Sequence, residues 1–155
     1  MLDGDNIRHG LSADLGFTPA DRVEQLRRIG ELSRLIHDAG MIVLCAFVSP
    51  IRASRARVRS LIPPSSFFEV YCQCPSSVCA ERDPKGFYAK AKAGQIKDYT
   101  GVNAPYEAPE APELTLDTAT SPEQQCAEQV IDLLRNRDII RRDDTSPAAI
   151  KEKLT

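Results

Sequence analysis

The chain has 155 residues, 42% of them apolar and 27% charged, with a net charge of −2 at neutral pH. That is enough chain for one domain with a core, and the charge balance gives no bulk attraction to nucleic acid or to a membrane surface. An anionic ligand must therefore be held by local arginines and lysines, and no apolar run reaches the roughly 20 residues that span a bilayer.

Residues 1–17 read as a polar loop carrying Asp3-Gly4-Asp5-Asn6, Arg8 and Gly10. A helix follows: Thr18 is its N-cap, Pro19 takes the first position and Asp21 closes a capping box. Val23, Leu26, Ile29, Leu32, Leu35 and Ile36 recur at helical spacing, and Gly40 is the stop. Met41 to Phe47 is a continuous apolar run, which suits a strand buried on both faces of a parallel sheet. Ser49-Pro50 opens an arginine-rich helix (Arg52, Arg55, Arg57, Arg59) that ends at Pro63-Pro64. Phe67 to Cys72 is the next strand and Ser76 to Glu81 a short helix. Residues 85–99 form a basic segment around Gly86 and Gly94, and a Pro-rich loop covers 105–112. Leu114 to Leu116 is a short strand. Ser121-Pro122 opens a last amphipathic helix to about Leu134, and residues 136–155 form a polar tail. Strands alternating with helices predict an α/β fold, a parallel sheet flanked by helices. Such sheets bind ligands at the carboxyl ends of their strands.

The five cysteines (Cys45, Cys72, Cys74, Cys79, Cys126) show neither CxxC pairing nor a nearby histidine cluster. They read as reduced, mostly buried thiols rather than zinc ligands. With a charged N-terminus in place of a secretory signal, a cytoplasmic location is expected.

The chemistry concentrates in Asp3-Gly4-Asp5-Asn6-Ile7-Arg8. Two carboxylates two residues apart at a strand end can serve phosphoryl transfer, one supporting Mg²⁺ through water and one accepting a proton from a hydroxyl. Arg8 can pair with phosphate in a fork that lysine cannot copy. Taken alone, the same stretch reads rather as an Asp/Gly/Asn turn with solvated charges.

Its context is more specific. Asp3-Gly4-Asp5-Asn6-Ile7-Arg8-His9-Gly10-Leu11, Asp14-Leu15-Gly16-Phe17 and Asp21-Arg22 resemble adenylylsulfate kinases. So do Arg27-Arg28-Ile29-Gly30-Glu31, Phe47-Val48-Ser49-Pro50, Arg82-Asp83-Pro84-Lys85-Gly86, Lys90-Ala91-Lys92-Ala93-Gly94, Tyr99-Thr100-Gly101, Pro105-Tyr106-Glu107-Ala108-Pro109 and Leu116-Asp117-Thr118. The resemblance covers residues 1 to about 135, taken as one partial kinase domain. It implies a P-loop-type kinase fold and transfer of the γ-phosphate of ATP to the 3′-hydroxyl of adenylylsulfate, with Mg²⁺, in sulfate assimilation. It also implies a homodimer, and a sulfurylase as partner or fusion.

The resemblance assigns roles residue by residue. Asp5 orients or deprotonates the acceptor hydroxyl and Asp3 lies near the metal. Arg8 and Arg22 bind the phosphosulfate, and Phe17 stacks on adenine; by position alone Phe17 is equally a hydrophobic staple beside Thr18. Tyr99 stands where the family usually has phenylalanine, on the other side of the base. Gln25 stands where asparagine is usual, and Lys97 is a further acceptor-site candidate. Ser49 matches the serine that the family marks as a phosphoserine intermediate, although Ser before Pro also reads as an N-cap. Lys90 and Lys92 match a basic lid, which otherwise reads as a solvated helix, and Arg82 stands where a lid arginine meets ATP.

No GxxxxGK followed by Ser or Thr occurs in the chain. In the resembled family that loop precedes the Asp3 motif, where backbone N–H groups and a lysine cradle phosphates. A fold truncated at its N-terminus is therefore expected, short of roughly 30 residues of strand, loop and helix. The intact acceptor motifs favour a fragment of an active kinase. A non-catalytic adenylylsulfate-binding regulatory module and an inactive remnant are the alternatives.

Overall fold

A computed structural model of the chain describes residues 1–141, so the expected polar tail lies outside the described residues from 142 onward. The elements run in the order β1 (Leu2–Asp3), α1 (Gly4–Arg8), α2 (Pro19–Asp38), β2 (Cys45–Ala46), α3 (Arg52–Arg59), β3 (Val70–Gln73), α4 (Ser76–Arg82), α5 (Phe87–Lys92), β4 (Leu114–Asp117) and α6 (Glu123–Asn136). They fall into two compact units, one of residues 1–67 and 79–110, the other of 68–78 and 111 onward.

In the first unit β1 and β2 pair in parallel, Leu2 opposite Cys45 and Asp3 opposite Ala46. The expected capping box starts the helix between them. Thr18 Oγ1 accepts from Asp21 N, and Asp21 Oδ2 accepts from Thr18 N, both at 3.2 Å. The apolar stripe of α2 then turns Leu26 and Ile29 inward, where both are buried. Gly30 lets α3 come close. A Cβ on Gly30 would lie 3.0 Å from Leu61 Cδ1 and 3.2 Å from Val58 Cγ2. Ile62 and Ala91 complete the buried apolar set of this unit. In the second unit β3 and β4 pair in parallel from Val70–Leu114 to Gln73–Asp117, with Leu116 buried and α6 packed on β4. The strand pairs are thus parallel and accompanied by helices, as the α/β reading expects.

Four expectations are corrected. Residues 1–17 are not simply a loop, because Asp3 Oδ1 accepts the N–H groups of Asp5 at 3.0 Å and Asn6 at 3.3 Å and caps the short helix α1. The apolar run 41–47 does not form a strand buried on both faces. Only Cys45–Ala46 pairs, and Met41, Ile42 and Leu44 are exposed. The third helix begins at Arg52 with Ile51 at its N-cap, so Ser49 does not cap it; Ser49 instead has φ +42°, outside the extended geometry a cap requires. The cysteines are all free, but none is buried: Cys45 and Cys72 are exposed and Cys74, Cys79 and Cys126 intermediate.

Candidate functional site

The first unit carries the singled-out residues, and Asp5 and Arg8 follow the carboxyl end of β1 directly. Gly4 follows Asp3 directly, and a Cβ there would lie 3.5 Å from the Phe47 ring, so the residue after β2 closes over the start of α1. Asp5, at 69% side-chain exposure, projects outward and meets Lys85 Nζ at 2.7 Å. The Lys85 ammonium holds the Asp5 carboxyl below its usual range, by its hydrogen bond first and its charge second. In return the Lys85 ammonium is held above its usual range. Sequence reading placed Lys85 in the basic segment and gave it no role; nothing in the local pattern marks a contact 80 residues away.

Arg8 sits at the end of α1 and turns back over the following loop. Its Nη1 donates to the carbonyls of Leu15 and Gly16, and its Nη2 to Oε1 of Gln25. Gln25 is buried, so the longer amide at this position serves to orient Arg8. Arg22 projects from the first turns of α2, donating through Nε to Phe17 O at 3.1 Å and through Nη2 to Asp98 O at 3.2 Å. The two guanidiniums flank one ring: Arg8 Cζ lies 4.3 Å and Arg22 Cζ 5.8 Å from the centre of Phe17. Phe17 remains 59% exposed, and the residue a staple would need beneath it is Arg22 rather than an apolar side chain. It therefore stands as an aromatic surface between two cations.

Burial and the nearby Arg22 charge lower the Arg8 pKa. Two like charges held this close favour an anion, which would relieve their repulsion. The loop that presents Phe17 is tied to α2 by Arg28, whose Nη1 and Nη2 grip Asp14 Oδ1 and Oδ2 at 2.6 and 2.7 Å while Nη1 also meets Leu11 O at 2.8 Å. Glu24 adds a second partner; its carboxyl is pulled down to about 2 by Arg27 first and Arg28 second.

Tyr99 lies beyond Asp98, in the same unit, with its amide donating to Asn103 Oδ1 at 2.6 Å. Its ring meets Tyr88 and Phe87 of α5 edge to face. Ser49 lies past β2, and its carbonyl accepts from Arg55 Nη1 at 2.7 Å. Arg55 Nη2 holds Glu107 O at 2.7 Å, and Arg52 holds Ala108 O and Glu110, so the Pro-rich loop is clamped to the start of α3.

The remaining basic residues lie on and after α4. Arg82 ends α4. Lys90 Nζ is 5.8 Å from the Phe87 ring centre, and Lys92 and Lys97 are exposed. Among the described residues no group of three His, Cys, Asp or Glu side chains could hold a metal ion, and no helix is long and apolar enough to cross a membrane.

A sequence profile described as adenylylsulphate kinase matches residues 1–117. The chain is 54% identical over 141 residues to an adenylyl-sulfate kinase of Acaryochloris marina, covering 91% of this chain and 69% of that protein. It is 55% identical over 139 residues to the bifunctional enzyme NodQ of Azospirillum brasilense, covering 90% of this chain but only 22% of that protein. Among solved structures, the Mycobacterium tuberculosis APS kinase CysC in complex with AMPPNP and APS superposes with a TM-score of 0.82 at 47% identity, covering 86% of this chain and 78% of that one.

Proposed function

The chain belongs to the adenylylsulfate kinase family, and from that premise we propose that it is the acceptor-nucleotide part of an adenylylsulfate kinase. The reaction moves the γ-phosphate of ATP to the 3′-hydroxyl of adenylylsulfate, giving 3′-phosphoadenylylsulfate. The observation that carries this reading is the exposed Phe17 ring between the guanidiniums of Arg8 and Arg22. A nucleotide with a flat base and an anionic phosphosulfate matches an aromatic surface beside two cations.

In this reading Phe17 and Tyr99 stack on adenine, Arg8 and Arg22 bind the phosphosulfate, Gln25 fixes Arg8, and Lys97 adds positive charge near the acceptor. Asp5 faces the 3′-hydroxyl. Its pairing with Lys85 keeps it ionised but also less basic, so orienting the hydroxyl matters as much as taking its proton. Phosphoryl transfer asks mainly for positioning and charge stabilisation, so direct transfer needs no phosphoserine at Ser49. Arg82, Lys90 and Lys92 would face the phosphates of ATP.

Mg²⁺ would be held through Asp3 and a bridging water, and no group of three His, Cys, Asp or Glu side chains stands ready for a metal among the described residues. Such sparse protein ligation is usual for this ion, which when bound would offset phosphate charge. The expected setting is cytoplasmic, as a homodimer. The bifunctional relative, of which this chain matches a small share, is consistent with a second activity on the same chain, and a sulfurylase is the partner that the family resemblance implies.

The test is calorimetric titration of adenylylsulfate into the 155-residue chain, paired with a turnover assay on the protein isolated from its own cells with ATP and Mg²⁺. Binding that is lost in Phe17→Ala, together with turnover, supports the kinase. Binding without turnover would instead support a regulatory nucleotide-binding module, and no binding would overturn the site.

A further inference from the structure

We infer that Tyr88 is the residue that positions Tyr99, and that it thereby sets how strictly the acceptor site selects an adenine base. The inference rests on the reading of Tyr99 as a stacking surface.

The backbone of Tyr99 is already fixed. Its N–H donates to Asn103 Oδ1 at 2.6 Å, and its carbonyl accepts the N–H groups of Val102, Asn103 and Ala104, each at 3.1 Å. Asn103 Nδ2 closes the loop on Ile96 O at 2.9 Å. What remains free is rotation of the ring about its side-chain torsions, and a stacking surface is useful only if its plane is set in advance.

Two rings of α5 set that plane. Tyr88 lies 5.1 Å from Tyr99, centre to centre, at 80°, and Phe87 lies 6.3 Å away at 71°. Both are edge-to-face contacts, a favoured arrangement for aromatic pairs. Tyr88 is the closer of the two and is half-buried, whereas Phe87 is 40% exposed. Tyr88 also touches the turn that carries Tyr99: a Cβ on Gly101 would lie 3.6 Å from the Tyr88 hydroxyl, and Gly101 has φ +85°.

Tyr88 is itself held from the preceding loop. A six-residue helix is too short to be stable alone, and its N-cap, Gly86, offers no side chain. Asp83 supplies the missing acceptors, Oδ1 taking Tyr88 N and Oδ2 taking Ala89 N, both at 3.0 Å. The chain of support thus runs from Asp83 to Tyr88 to Tyr99.

The test measures the affinities of AMP and GMP for the 155-residue chain and for the variants Tyr88→Leu, Tyr88→Phe, Asp83→Asn and Tyr99→Ala, each checked for a cooperative thermal transition. Tyr88→Leu should weaken AMP by about threefold to tenfold, the scale of an aromatic pair, and shrink the AMP-over-GMP preference. Tyr88→Phe, which keeps the ring, should retain both. Asp83→Asn should shift affinity and preference in the same direction by less, and it carries the test if Tyr88→Leu does not fold. Normal affinity and preference in Tyr88→Leu, or in Asp83→Asn where it stands in, would overturn the role of Tyr88. If Tyr99→Ala also changes neither quantity, the stacking reading of Tyr99 falls with it. A lower melting temperature with an unchanged AMP-over-GMP ratio would reduce Tyr88 to packing and overturn the inference.

Discussion

Lys85 Nζ stands 2.7 Å from Asp5 Oδ2, joining the segment before α5 to the short helix that follows β1. The pair is exposed, so its structural contribution is small. Its effect on protonation is more direct. Lys85→Ala should raise the Asp5 carboxyl pKa toward the ordinary 3.8, read by NMR titration of that side chain. The sign follows from linkage. A depressed carboxyl contributes above its unfolded value and loses that contribution as pH falls through the folded one. The raised Lys85 contributes below 10.5 and loses it as pH rises through its folded value. The pair should therefore persist across the neutral range. An Asp5 titration unchanged in the variant would show that the two do not pair in solution.

Arg22→Ala should weaken adenylylsulfate binding at least about tenfold, because it removes a charge-assisted contact. Arg22→Lys should recover only part of that loss, since an ammonium cannot donate at once to Phe17 O, Asp98 O and an anion in the fork geometry of arginine. Calorimetric titration decides the point, and an unchanged dissociation constant in the alanine variant would remove Arg22 from the site.

Ser12 is fully buried, and its hydroxyl has no hydrogen-bond partner among the described residues. Ser12→Ala should accordingly be neutral or stabilise by up to about 1 kcal/mol, because it removes an unsatisfied polar group. The midpoint of urea unfolding at constant slope measures this. A clear loss of stability would mean the hydroxyl is satisfied in solution, for instance by a buried water.

Thr18→Ala should cost about 1 kcal/mol through loss of the cap. Because Thr18 and Asp21 bond reciprocally, Asp21→Ala in the Thr18→Ala background should cost less than Asp21→Ala alone. Thermal unfolding of the double-mutant cycle would show strict additivity if the box does not form.

Ser49→Gly should stabilise by about 1 kcal/mol, since glycine occupies the left-handed region without the strain that serine bears at φ +42°. Ser49→Ala should give no such gain. Equal unfolding midpoints for the two variants would show that the turn relaxes in solution.

The start of α2 was legible in the sequence because its signals are local: Thr18, Pro19 and Asp21 lie within one turn, and Gly40, at φ +81°, stands just past the end. The run 41–47 was misread because burial of a strand depends on partners distant in sequence. Its composition speaks of an interior, while among the described residues β2 pairs only with β1. The site divides in the same way. Arg8, Phe17, Arg22 and Gln25 lie within one short stretch of chain, where the family resemblance marks them together. Lys85 and Tyr88 carried no role in the sequence because their partners, Asp5 and Tyr99, are set by the return of the chain rather than by spacing. Ser49 reads as a cap by type, yet the helix after it starts three residues later, and only a backbone angle reveals that.

The segment between Lys85 and Asp98 is fastened near both ends, by the Lys85 ammonium to Asp5 and by the Asp98 carbonyl to Arg22. A strap fixed in this way cannot fray progressively from one side as a free end does. Its amides should exchange with solvent in one concerted release, at a common rate across α5, and weakening either fastening should speed them all together.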